Sequence, residues 1–192
     1  MKASDFHFLG DRDYLQGATL FDHIIANYVA DKYNPKGIDF SIKKLTDKVC
    51  LVISTKEKKG NLIPEKIVGE YKDNLNHFFI YETENKVTER IPYNEIEIIR
   101  NCIIDKDKIV MSENILNYSF MKKAIAAYKF LLTSLYGKTY DKYLFARIQL
   151  QFIPEGKFWI KHSRIISNQF FQGAIKENDK EIGNIFFGVK KI

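Results

Sequence analysis

The 192-residue chain has only two cysteines, Cys50 and Cys102. Each lies in a short apolar run typical of a β-strand, so we predict two buried thiols rather than a disulfide bond. The cysteines and the four histidines show no spacing typical of a metal site. We therefore predict no metal ion and no other cofactor.

Long apolar runs are also missing, and none approaches the roughly 20 residues that a transmembrane helix needs. The first residues lack the regions of a signal peptide, so we expect a cytoplasmic protein with no membrane span. The sequence contains no glycine-rich phosphate-binding motif and no Gly-x-Ser-x-Gly nucleophile motif. The net charge is +6, but the lysines are scattered rather than clustered, so we expect no nucleic-acid partner.

Two segments have the periodicity of apolar helices. The first begins at Gly17, after which apolar side chains recur three or four residues apart, and residues 34–37 stop it. The second spans Ser112 to Tyr136 and has the wider apolar face. Ser112 is its candidate cap, and Gly137 ends it.

Alternation of apolar and polar residues predicts β-strands in most of the remaining chain. The predicted strands lie at residues 38–42, 48–54, 66–71, 77–83, 87–91, 143–152, 158–166, 170–176 and 182–189. We also predict β-structure at residues 95–111, around a turn at residues 105–107. A helix followed by antiparallel strands therefore occurs twice, once in residues 1–93 and once in residues 94–192.

This repeat predicts an α+β protein. Neither half can cover its apolar surface well alone, because each offers one apolar helix and one small sheet. Each helix can cover its apolar face by lying on a curved sheet, and the two sheets can cover their open edges by joining edge to edge. We therefore predict a double hot-dog fold, with residues 1–93 and 94–192 packed as one unit. The alternative is an open α+β sandwich without duplication.

The stretch leading into the first helix carries the candidate chemistry. It begins His7-Phe8-Leu9-Gly10-Asp11, and the helix bears Asp22 five residues after Gly17. This resembles the active-site segment of the 3-hydroxyacyl-carrier-protein dehydratases, where His-Phe-x-Gly-Asp precedes Pro-Gly and an apolar helix with an acidic residue. Here Gln16 stands in place of the proline, and one extra residue separates His7 from Gly17.

The resemblance implies that His7 removes the proton α to a thioester carbonyl. It implies that N–H groups near Gly17 stabilise the enolate oxygen and that Asp22 positions or protonates the leaving hydroxyl. The implied substrate is an acyl thioester on acyl carrier protein or coenzyme A, in fatty-acid or polyketide-type biosynthesis. The loop residues that are candidates for substrate binding are Gly10, Asp11, Arg12, Tyr14 and Gln16.

In this family the two catalytic residues come from the two hot dogs of a pair. Aligning the two predicted helices puts Ala126 opposite Asp22, so the second helix supplies no acid at the position that would serve His7. His7 and Asp22 would then belong to two different half-sites, and either a different acid serves His7 or the dehydratase chemistry is lost. Glu113 is one candidate for that acid. Other candidates lie in the loop itself, at Asp11 and Asp13.

The remaining histidines are predicted to have no catalytic role. His23 is predicted to be structural, and His77 and His162 to be incidental residues of strands. We favour an enzyme, a hydro-lyase of 3-hydroxyacyl thioesters, over an acyl thioesterase. The missing second acid favours another alternative, a non-catalytic protein that binds an acyl chain or its carrier. A double hot dog contains its own internal dimer, so both a monomer and a homodimer fit the sequence.

Overall fold

The chain divides into two compact units, Met1–Tyr93 and Asn94–Ile192. The structure is a computed structural model. It describes residues 6–29, 34–57, 62–111, 117–137, 139–167 and 169–191.

Unit 1 contains one long helix, α1, at Gly17–Tyr28. Its strands are β1 (Phe8–Leu9), β2 (Lys36–Ile42), β3 (Lys48–Ser54), β4 (Ile67–Lys72), β5 (His77–Lys86) and β6 (Arg90–Ile91). Strands β2 to β5 pair antiparallel in the order β3-β5-β4-β2. The two short strands β1 and β6 pair with each other in parallel.

Aromatic side chains join α1 to this sheet. The ring of Phe21 lies 5.3 Å from that of Phe40 on β2 and 6.1 Å from that of Tyr71 on β4. Tyr28, at the end of the helix, packs 5.7 Å from Phe78 on β5. These contacts bury one face of α1 on the sheet, as expected for a helix with a wide apolar face.

Unit 2 contains a short helix, α2 (Glu95–Arg100), and a long one, α3 (Phe120–Tyr136). Its strands are β7 (Cys102–Asp105), β8 (Lys108–Met111), β9 (Tyr140–Phe152), β10 (Phe158–Ile166), β11 (Phe170–Glu177) and β12 (Lys180–Lys191). They pair antiparallel in the order β9-β12-β11-β10-β8-β7.

The long helix α3 is capped at both ends. The Ser119 side chain accepts a hydrogen bond from the Lys122 amide at 3.2 Å, and Gly137 ends the helix with φ 57°. Between the caps, aromatic side chains pack on the sheet, with the Tyr128 ring 5.5 Å from that of Phe187 on β12. The predicted end of the helix at Gly137 is confirmed. Ser112 itself lies outside the described residues, but residues 117–119 are not helical. The predicted start is therefore wrong, because the helix begins at Phe120 with Ser119 as its cap.

The α+β class is confirmed, and each unit has a helix lying on an antiparallel sheet, which is the hot-dog arrangement. The order of strands nevertheless differs between the units. In unit 1 the last sheet strand, β5, lies between β3 and β4, whereas in unit 2 the last strand, β12, lies between β9 and β11. The repeat of elements along the chain is therefore not a repeat of strand neighbours.

The prediction of β-structure throughout residues 95–111 is wrong for its first part, which forms α2. Asn94 caps this helix by accepting a hydrogen bond from the Glu97 amide, and Arg100 lies in its last turn. Both features favour a helix, and Ile98 buries the inner face. Within the described residues, no helix combines the length and the apolar character that crossing a membrane requires.

Candidate functional site

The loop before α1 is held by the last residues of unit 1. The Phe8 amide donates a hydrogen bond to the Glu89 carbonyl at 2.9 Å, and the Gly10 amide donates to the Ile91 carbonyl at 3.0 Å. The Arg90 guanidinium donates to the carbonyls of Gly10 and Arg12, the latter at 2.8 Å. Gly10 has φ 59°, a left-handed conformation that glycine adopts at little cost.

His7 lies directly before β1 and is half-buried. The next residue, Phe8, is fixed by its pairing with Arg90 on β6, whose guanidinium lies 5.3 Å from the Phe8 ring centre. His7 is therefore attached to a backbone that two neighbouring strands hold in place.

The first turn of α1 has no side-chain cap. Gln16 occupies the N-cap position with extended backbone angles, but its side chain makes no capping hydrogen bond. Instead, the Gln16 amide lies against the Arg12 guanidinium, and turning its oxygen toward Arg12 gives two hydrogen bonds, one from Nη1 at 2.8 Å. The first N–H groups of a helix have no partner within the helix, so this end can receive an oxygen acceptor.

A second polar group lies in the same turn. Thr19 is only 5% exposed, and within the described part of the chain its hydroxyl has no hydrogen-bond partner. Leaving a buried hydroxyl without a partner costs roughly 1–3 kcal/mol. An unsatisfied hydroxyl beside an uncapped helix end is the pair of features expected where a ligand oxygen completes the hydrogen bonding.

The carboxylate of Asp22 is half-buried on α1, five residues after Gly17. The neighbouring His23 is buried, with Nδ1 3.2 Å from Asn27 Nδ2 and its ring 4.5 Å from that of Phe6. These contacts are those of a packed side chain. Asp22 is the one acidic residue in the sequence of α1.

The other candidate loop residues differ in exposure. Asp11 and Asp13 are exposed, whereas Tyr14 is half-buried. Arg12 is half-buried over the ring of Tyr93, 5.6 Å from its centre. The structure therefore brings Arg12 together with Gln16, and Gly10 together with the end of unit 1.

The described part of the second long helix supplies no carboxylate, since its sequence from Phe120 to Tyr136 contains none. Ala126, the residue aligned with Asp22, is fully buried. Glu113, the candidate acid of the second half, lies outside the described residues.

A cluster in unit 2 is absent from the sequence-based site. His162, on β10, has Nδ1 3.0 Å from the Tyr128 hydroxyl and Nε2 2.8 Å from the Tyr136 hydroxyl. Both tyrosines belong to α3 and are eight residues apart, so they lie on the same side of the helix. That spacing is the signal in the sequence, but only the fold brings His162 to it.

Burial controls the ionisation of this cluster. It lowers the pKa of His162, although the Asp107 carboxylate acts in the opposite direction. It raises the pKa of Tyr128, with a further contribution from Tyr136, and it raises the pKa of Tyr136 as well. At neutral pH the three groups are therefore an uncharged imidazole between two uncharged phenols.

The sheet is shaped around this cluster. Gly173 on β11 pairs with His162, and a Cβ atom at Gly173 would lie 2.7 Å from Tyr128 Cε2 and 2.8 Å from Ile160 Cγ2. The register of β10 also shifts between His162 and Arg164, which marks a β-bulge. Bulges are frequent where a strand has to aim a particular side chain.

No family model and no curated protein matches the sequence of this chain. Its backbone is similar to that of the dehydratase domain of RzxB from Pseudomonas fluorescens, at 10% identity, covering 95% of this chain and 92% of that one, with a TM-score of 0.45. The dehydratase domain from the CurF module of curacin polyketide synthase is 10% identical, with 93% of this chain and 84% of that one covered and a TM-score of 0.45. The tesB protein of Mycobacterium avium subspecies paratuberculosis is 8% identical, with 92% of this chain and 86% of that one covered and a TM-score of 0.46. At such identities, residue roles have to be argued from this chain alone.

Proposed function

We propose that this chain processes acyl thioesters, with the thioester carbonyl bound at the N-terminus of α1. The observation that carries the proposal is the uncapped first turn together with the buried hydroxyl of Thr19. A thioester oxygen placed there accepts hydrogen bonds from backbone N–H groups near Gly17 and from Thr19. These donors stabilise the oxygen most when it gains negative charge in the transition state.

The reaction we propose is the dehydration of a 3-hydroxyacyl thioester. His7 takes the α-proton, and the electron pair of that C–H bond forms the enolate, whose charge rests on the bound oxygen. Re-formation of the carbonyl expels the 3-hydroxyl group, which Asp22 protonates and which leaves as water. In this proposal Asp22 acts with His7 within unit 1, unlike the arrangement in the dehydratases, where the two residues come from two hot dogs. The product is the 2,3-unsaturated thioester. Before the next turnover His7 loses its proton to solvent and Asp22 regains one from solvent.

The carrier of the acyl group is proposed to be an acyl carrier protein or coenzyme A, in a cytoplasmic pathway of fatty-acid or polyketide type. The net charge of +6 favours either anionic carrier through long-range attraction. The candidate binding residues Arg12 and Gln16 are already linked to each other. Arg12 keeps a positive charge at every working pH, so it suits a phosphate or carboxylate of the carrier.

The test is incubation of the full chain with a 3-hydroxybutyryl thioester of coenzyme A, and separately of acyl carrier protein. We expect formation of the unsaturated thioester, followed by its ultraviolet absorbance. His7→Ala is expected to lower turnover by about 10²- to 10⁴-fold, the usual contribution of a general base. The matched control is His77→Ala. His77 lies on β5, outside the candidate site, and its Nε2 atom lies 2.6 Å from Glu70 Oε1.

Equal turnover by the native chain and His7→Ala would remove His7 from the mechanism. Release of the free thiol with the hydroxyacid intact would instead identify a thioesterase. Saturable binding of the thioester without any product would identify the non-catalytic alternative. Asp22→Asn separates the roles further, because it is expected to slow departure of the hydroxyl while leaving exchange of the α-proton with solvent in place.

A further inference from the structure

The hydrogen bonds around His162 fix which nitrogen carries its proton. Tyr128 is fully buried, so its O–H has to donate within the protein, and the acceptor at 3.0 Å is His162 Nδ1. A neutral imidazole has one donor and one acceptor nitrogen. Nδ1 is therefore the acceptor, and Nε2–H donates to the Tyr136 hydroxyl oxygen at 2.8 Å.

With the two hydrogen bonds in this direction, the hydroxyl hydrogen of Tyr136 is not donated within the cluster. Among the residues that the structure describes, His162 is the one hydrogen-bond partner of that hydroxyl. Tyr136 is half-buried, in contrast to the fully buried Tyr128, so of the two tyrosines it is the one that solvent reaches. A donor whose oxygen already accepts a hydrogen bond is polarised and donates more strongly.

The surroundings of Tyr136 are aromatic. Its ring lies 5.0 Å from that of Phe171, which also lies 5.3 Å from the ring of Tyr140. The Asp107 carboxylate, which acts on the ionisation of His162, is paired with Lys161 Nζ at 3.6 Å. A neutral O–H donor among aromatic rings therefore suits an uncharged oxygen acceptor on an apolar body best.

We propose that unit 2 holds a binding site for an uncharged carbonyl group, in which Tyr136 donates a hydrogen bond to the carbonyl oxygen. His162 and Tyr128 are positioning residues that hold Tyr136 in the donating orientation. The site does not transfer a net proton, since releasing one would leave a phenolate at the fully buried Tyr128 or at the half-buried Tyr136. The proposal uses no residue of unit 1 and stands apart from the proposed reaction there.

The first test concerns the imidazole. The full chain is labelled with ¹⁵N-histidine, and the His162 signals are assigned by their absence in His162→Gln. Near neutral pH we expect Nε2 to carry the proton and Nδ1 to be unprotonated. Tyr128→Phe removes the donor to Nδ1, so we expect the Nε2–H form to lose population. A proton on Nδ1 in the native chain, or an unchanged tautomer in Tyr128→Phe, would contradict the proposal.

The second test is titration with S-ethyl thioacetate, with diethyl sulfide as a probe of similar shape that lacks the carbonyl. We expect a saturable shift of the His162 Nε2 signal with the thioacetate and none with the sulfide. Tyr136→Phe keeps the ring but is expected to weaken binding roughly threefold to tenfold, the loss of one neutral hydrogen bond. Tyr143→Phe is the matched control, because that hydroxyl bonds to the Leu132 carbonyl and not to His162.

Equal affinity of the native chain and Tyr136→Phe, or the same response to both probes, would overturn the proposal. His7→Ala tests whether the proposed site in unit 1 contributes to this binding, and it is expected to leave the titration unchanged. Loss of turnover without loss of this binding would show a working site in unit 1 and a separate one in unit 2. Unchanged turnover in His7→Ala, with the binding response still present, would overturn the proposed reaction while leaving the carbonyl site in place.

Discussion

The two long helices carry their unusual polar groups at opposite ends. In α1 these groups lie in the first turn, where Gln16 makes no cap and the hydroxyl of Thr19 is buried. In α3 the first turn is closed by Ser119, and the polar contacts lie in the second half of the helix, at Tyr128 and Tyr136. One helix-on-sheet arrangement thus supports a polar site at either end, and repeating the arrangement has not repeated the site.

The largest effect is expected at the sheet under α3. Gly173→Ala places a methyl group into the ring of Tyr128 and into Ile160, both packed side chains, so it should destabilise the protein by about 1–3 kcal/mol. The measurement is urea unfolding followed by circular dichroism. Gly156→Ala is the control, because the nearest atom to its added methyl is Glu177 Oε1 at 3.6 Å. Equal stability of the two variants would mean that Tyr128 is not confined by the sheet.

The open end of α1 should respond in the opposite direction. Thr19→Val keeps the shape of the side chain and removes its unsatisfied hydroxyl, so we expect the protein to become more stable by about 1 kcal/mol. The same change should lower turnover of the 3-hydroxybutyryl thioester, since one donor to the oxygen is lost. Thermal unfolding and the dehydration assay are compared on one preparation. A variant that is less stable, with full turnover, would refute the role given to this hydroxyl.

The cap of α3 should contribute an ordinary amount. Ser119→Ala removes the acceptor for the Lys122 amide and is expected to cost about 1 kcal/mol of stability. Ser119→Thr keeps a hydroxyl at the same position and should recover most of that loss. Neither variant should change turnover, because unit 1 supplies every group in the proposed reaction. Chemical unfolding of the three proteins under identical conditions measures the difference.

The smallest effect is a dependence of stability on pH that belongs to unit 2. The pKa of His162 is lower in the folded protein than in the unfolded chain. Below about pH 6.5 the unfolded chain therefore binds a proton that the folded chain still excludes. As the pH is lowered further, the free energy of unfolding should decrease until the folded pKa is reached. The groups facing His162 are Tyr128, Tyr136 and Asp107, and of these only Asp107 opposes the shift.

Unfolding midpoints are compared between neutral and mildly acidic pH for the native chain and for His162→Gln. The variant should show a weaker dependence over this range, because it has no imidazole to protonate at that position. An identical dependence in both proteins would place the titrating group elsewhere.

Periodicity was sufficient to predict the class of fold and the cores of the two long helices. The end of α3 was also predictable, because Gly137 adopts a conformation that favours glycine. The helix α2 was missed since Ile96, Ile98 and Ile99 also fit a strand, and the deciding feature is the cap from Asn94. Strand neighbours could not be predicted, because alternation determines which face is buried and not which strand lies alongside.

For the candidate site, the sequence predicts the loop leading into α1 but does not predict the contacts that hold this loop. Arg90 lies 80 positions after Gly10, and no local pattern links them. The His162 cluster was missed for the same reason, since its partners are 34 and 26 positions away. Contacts of this kind follow from the tertiary fold.

The support of the loop by Arg90 has a consequence for synthesis of the chain on the ribosome. The loop that carries His7 leaves the ribosome before the β6 strand that pairs with β1, and β6 is the last strand of unit 1. The loop must therefore wait until the rest of unit 1 has emerged before it reaches its final position. A truncated chain that ends before Arg90 can form the β2–β5 strands but lacks the partner that orders its first loop.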